Sequence, residues 1–140
     1  MATRKTNEKA PNTLAALIND VEHFNADEVH LDDKDGKIAI AGVQNNSERT
    51  LRLINIQLMS DIQSGEYDYP STEIPVLGGA AHAAPAHYDT RKGSVSINVD
   101  RKRGLYKGHF RFTAVNIFPP KNTIEVVGDF DIDTSSTSKK

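Results

Sequence analysis

Cysteine is absent from this chain, which excludes structural disulfides and a thiol nucleophile without choosing a compartment. Aromatic residues are scarce at 6%, and the apolar share is a modest 37%. No segment approaches the roughly 20 apolar residues needed to span a bilayer. The opening residues, MATRKTNEKAPN, hold no apolar stretch of the kind a secretory signal needs. A soluble cytoplasmic protein is the expectation, with secretion the alternative if a leader has been removed. Charge of one sign is lacking too. A formal net charge of -2 argues against general attraction to nucleic acid or to an acidic membrane.

What is present reads as β-structure. The 140 residues suit one domain, long enough to bury a core without staples. In the run NTIEVVGDFDI, Ile124, Val126, Gly128, Phe130 and Ile132 share one parity while Thr123, Glu125, Asp129 and Asp131 share the other. Such alternation marks a strand with one face on a core and one in water. Residues 94–100 and 105–117 read as two more strands around a basic turn, with Tyr106, Phe110 and Phe112 facing the core. Further upstream, EVHLDD and KIAIAGV form a hairpin around Asp35-Gly36. The run RTLRLINIQLMSDI has a parity slip near Ile54, which fits either a β-bulge or a strand covered on both faces. GEYDY is a short strand, and IPVL suits an edge strand.

One segment breaks the pattern. Leu14, Leu17, Ile18 and Val21 recur at i, i+3, i+4 and i+7, with Phe24 continuing the stripe. That spacing predicts an amphipathic helix over residues 12–25, packed on the sheet or used to pair two copies. The expected organisation is a polar N-terminal tail over 1–11, a single domain over 12–133 and a polar tail over 134–140. The fold class is mainly β, an antiparallel sandwich of six to eight strands with that one N-terminal helix.

The order of motifs resembles small β-sandwich domains of unknown function found in bacterial surface lipoproteins. The likeness spans about residues 38 to 132. It is carried by Gly65 and Tyr67, Tyr88, Gly93-Val95-Ile97, Gly108-Phe110-Phe112-Ala114, and Gly128-Phe130. Those proteins carry a lipidated cysteine and this chain has none. The resemblance implies a sandwich fold and carries no catalytic residue over.

Candidate sites are few. LDDKDGKIAI has acids at calcium-loop spacing, but Leu31 and Gly42 occupy the first and twelfth ligand positions, so a hairpin turn is the better reading. His82 and His87 lie five apart in an irregular loop with Asp89 close by, a spacing that enforces no zinc geometry. Seven acids against Lys34 fall between Asp20 and Asp35, and seven bases against Asp100 between Arg91 and Arg111. Such segments are usually solvated faces. No cofactor or metal is implied. The residues therefore point to a non-enzymatic binding or assembly module whose contact surface is the 70–92 loop. His82, His87, Tyr88 and Arg91 would contact a protein or small ligand, joined by Arg101, Lys102 and Arg103 of the basic turn. The competing class is a small enzyme or metal-dependent hydrolase using His82 and His87 or the acids of 20–35. A monomer is expected, with dimerisation through the N-terminal helix as the variant.

Overall fold

The computed structural model describes residues 12–82 and 86–134. The tail expected over 1–11, and that from 134 onward except Thr134, lie outside the described residues. Among them the chain forms ten β-strands and no helix. In order these are β1 (Thr13–Ile18), β2 (Glu22–Asn25), β3 (Glu28–Lys34), β4 (Lys37–Val43) and β5 (Leu53–Met59). β6 (Gly65–Tyr69), β7 (Val76–Ala80), β8 (Tyr88–Asp100), β9 (Leu105–Asn116) and β10 (Thr123–Asp133) complete the set. They build a six-stranded sheet, β2-β1-β10-β9-β8-β6, and a four-stranded sheet, β3-β4-β5-β7, with every pairing antiparallel.

The expected helix over 12–25 is the main correction. Those residues form the β1–β2 hairpin instead, and with it the strand count rises from eight to ten. Two physical reasons decide it. Asn19 and Asp20 both adopt positive φ, 53° and 64°, which suits a tight turn and stops a helix. The long β10 also needs a partner on its free side, and β1 supplies one from Thr13↔Asp131 through Ile18↔Val126. Tertiary pairing overrides the local helical spacing. The buried set is Leu14, Ala16, Ile18 and Phe24, at strand parity, whereas Val21 is 77% exposed at the turn. Leu17 points outward beside Val127. With no helix present, dimerisation through one is withdrawn.

Elsewhere the alternation holds. β3 and β4 meet at Asp35-Gly36, both at positive φ, as a two-residue hairpin turn requires. In β5, Ile54, Ile56 and Leu58 are buried in strict alternation. The parity slip therefore falls before the strand, where Leu51 is buried outside regular pairing. β8 starts at Tyr88, six residues before residue 94, and pairs with β9 on both sides of a register shift between Thr90 and Lys92.

One apolar cluster joins the two sheets, with Leu14, Phe110, Phe112 and Phe130 from the larger and Ile38, Ile40, Ile54 and Ile56 from the smaller. The recurring glycines have a packing role there. Gly128 lies opposite Phe110 and Gly108 opposite Phe130 on neighbouring strands. A Cβ at Gly128 would come within 2.6 Å of the Phe110 ring, and one at Gly108 within 2.8 Å of the Phe130 ring. Each glycine makes room for the aromatic ring of its cross-strand neighbour, and the Phe110 and Phe130 rings stack at 6.5 Å. The G-x-F pattern is thus a feature of the core rather than of a binding site.

Candidate functional site

The strand register gathers four connections at one end of the molecule. The 19–21 turn adjoins the start of β10, where Asn19 N–H donates to Glu125 O at 2.8 Å. Residues 117–122 link β9 to β10, and Ala86 and His87 lead into β8, whose Tyr88 lies opposite Asn116. The 44–52 loop is tied in because Leu53 pairs with Ala80. Glu22 also accepts hydrogen bonds from Thr50 N–H and Oγ1 at 2.6 and 2.7 Å.

Two buried polar side chains organise this end. Asn116 Oδ1 accepts from His87 N–H and from Phe118 N–H, each at 3.1 Å. Gln44 Oε1 accepts from Asn25 N–H at 3.3 Å while its Nε2 donates to Leu51 O at 3.1 Å. A buried amide is retained where its hydrogen-bonding groups are used, because leaving them unpaired is costly. Both residues therefore add side-chain ties to loops also held by backbone bonds such as Ile117 N–H to His87 O and Gln44 N–H to Arg52 O.

With those loops set, apolar side chains stand in water. Of the four large exposed apolar side chains among the described residues, three lie at this end: Val21, Ile117 at 45% and Phe118 at 40%. Ile117 and Phe118 form the lip of a hollow of about 490 Å3 whose floor is Gly79, Ala80, Ala81 and Ala86. His82 and His87 line the same hollow, and the His82 Nε2 is buried without a hydrogen-bond partner. Asn116, Gln44, Ile117 and Phe118 escaped the reading of the sequence. The Ile-Phe-Pro-Pro stretch after β9 was the available signal, since two large apolar residues entering a proline turn have little strand left to bury them.

The other expected contact residues scatter. Tyr88 is half-buried against the core. Arg91 extends into solvent 3.6 Å from Asp89. Arg101, Lys102 and Arg103 sit at the opposite end, on the turn between β8 and β9. There Arg101 is committed to the fold: its Nη2 donates to Ser60 O and Ile62 O, both at 2.7 Å. Ser60 N–H in turn donates to Gly36 O at 2.9 Å. The basic turn and the acidic β3–β4 turn are therefore joined through residues 60–62.

The two charge-rich segments are also broken up by pairing. Lys107 and His109 on β9 face Asp131 and Asp129 on β10 directly across the ladder. An acid opposite each of these two residues weakens the field that a polyanion would need. In the acidic segment, Glu22 holds Thr50, and Asp27 Oδ2 accepts from Asn45 N–H at 2.7 Å. His109 lies on the outer face of the large sheet, in a different hollow from His82 and His87. Among the described residues no three His, Cys, Asp or Glu side chains converge to hold a metal ion. No helix there is long and apolar enough to cross a membrane. No family model, curated protein or solved structure matches the chain.

Proposed function

We propose that this chain is a non-enzymatic binding module whose contact surface is the loop end built from residues 81–82, 86–87, 117–122 and 19–21. The supporting observation is the exposed pair Ile117 and Phe118 on the 117–122 loop, lining a hollow with Gly79, Ala80, Ala81 and Ala86, with exposed Val21 on a second loop at the same end. Exposed large apolar groups clustered on rigidly held loops are the usual form of a protein or ligand contact. The partner is a protein segment or small ligand that offers apolar groups, with His82 and His87 as polar contacts at the rim. The likeness to lipoprotein sandwich domains belongs to the same proposal, as kinship of fold.

Peptide display against the immobilised chain tests this reading. Selected peptides should be rich in apolar and aromatic residues, and Phe118→Asp should abolish their binding without lowering the melting temperature. Binding that survives Phe118→Asp removes the loop end as the contact surface. A hydrolase using His82 and His87 is the second reading, favoured by the unpaired His82 Nε2. Ester or phosphoester turnover lost in His82→Ala would replace the binding module with that enzyme.

A further inference from the structure

The outer face of the six-stranded sheet carries a pattern that its register makes explicit. Read across β6, β8, β9, β10, β1 and β2, one row of outward side chains is Asp68, Ser94, Arg111, Val127, Leu17, His23. The next row is Glu66, Ser96, His109, Asp129, Ala15, Asn25. Lys107 and Asp131 flank these rows on one side, Thr113 and Glu125 on the other. Charge runs in columns along the strands: acidic on β6, hydroxyl on β8, basic on β9, acidic on β10 and small or apolar on β1.

That order is self-complementary. A two-fold axis in the plane of the face, close to the seam between β9 and β10, lays β9 of one copy over β10 of the other. It likewise lays β8 over β1 and β6 over β2, and each row stays on itself. Lys107 then meets Asp131, His109 meets Asp129, Glu66 meets Asn25 and Asp68 meets His23. No two like charges meet. Leu17 of one copy lies over Ser94 of the other, where the sheet face has a hollow of about 830 Å3 lined by Asp68, Ser94, Ser96 and Arg111. This arrangement gives the outward Leu17 a hollow to enter, while the 38% exposed Val127 lies over the aliphatic stem of Arg111 of the other copy.

We infer that this face is an interaction surface for a second copy of the chain, which stacks sheet to sheet as an isologous dimer. Strands about 4.8 Å apart and rows about 6.8 Å apart give a face of roughly 700 Å2 per copy. A stable interface of ordinary size buries about 800 Å2 per partner. Complementary columns set the register and suppress slipped pairings, in which bases would meet bases. The surface is separate from the loop end, so the dimer and the binding module stand or fall independently.

Sedimentation velocity on the full chain tests the dimer, with two charge reversals. Lys107→Glu places like charges at two symmetric contacts, as does Asp131→Lys, so each should weaken the dimer at least about tenfold. In an equimolar mixture each altered residue meets an opposite charge on the other chain, and dimerisation should return. Each chain keeps its own like-charged neighbours in the mixture, so recovery reports contact between chains alone. If either variant fails to fold by circular dichroism, His109→Asp sets acid against acid one row away, and an equimolar mixture with Asp129→Lys should relieve that contact. The inference is overturned by a chain that stays monomeric at about 100 μM, where any micromolar dimer would have formed. A dimer indifferent to both reversals overturns it equally, as do weakened variants that do not recover on mixing.

Discussion

Arg101 illustrates how a residue that invites a ligand can be spent on the fold. It stands in a run of three bases at a hairpin tip, yet one guanidinium nitrogen bridges two carbonyl groups of the β5–β6 connection, each at 2.7 Å. A charged donor to a backbone carbonyl contributes about 1.5–3 kcal/mol when shielded, and less where water can take its place. Arg101→Ala should therefore destabilise the protein by about 1–2 kcal/mol in urea unfolding, against nearly nothing for Lys102→Ala. Equal midpoints for the two variants would rule out the clamp. Asn116 makes the converse point. As a lone asparagine at the end of a strand it offers no motif, but its one oxygen holds both His87 and Phe118 in place. Residue type alone conveyed neither role, because both depend on carbonyl and amide groups distant in sequence.

The N-terminal hairpin shows where periodicity misleads at the level of elements. Leu14 and Ile18 satisfy a helical spacing and a strand spacing at once, so only Leu17 and Val21 distinguished the two, and they did so wrongly. The Asn19-Asp20 pair, suited to positive φ, was the competing signal. By contrast, β9 and β10 run for 12 and 11 residues. Over that length a period of two cannot be mistaken for 3.6, and their core faces were legible. The corrected hairpin makes a sharp forecast. Leu14→Ala, 2% exposed and packed toward Gly42, should cost about 2–5 kcal/mol. Leu17→Ala should cost well under about 1 kcal/mol, measured by denaturant unfolding of the dilute chain. A larger penalty at Leu17 would restore the helical stripe as the buried face.

On the scale of the molecule, the six-stranded sheet joins the first strand of the fold to the last. β1 lies against β10, and Asn12 Oδ1 accepts a hydrogen bond from Asp133 N–H at 2.8 Å. Deleting residues 1–25 would strip β1 and β2 from the sheet and leave one side of β10 as a bare edge of backbone donors and acceptors. The shortened chain should aggregate rather than melt reversibly, which light scattering during a thermal scan will register. A clear, cooperative transition near the intact melting temperature would mean that the hairpin is dispensable. The sandwich itself was foreseeable from alternation, whereas the loop end was not, since it is assembled from four connections distant in sequence, and the 19–21 turn joins the others only when β1 meets β10. That meeting has a cost in time. Between Ile18 and Thr123 the ribosome must add 105 residues, roughly 5–20 s of synthesis. Throughout that interval Leu14, Ile18 and Phe24 have no β10 to cover their strand. A cell making this protein must shelter a greasy first hairpin until the last strand arrives, and any stalled or truncated product releases it uncovered.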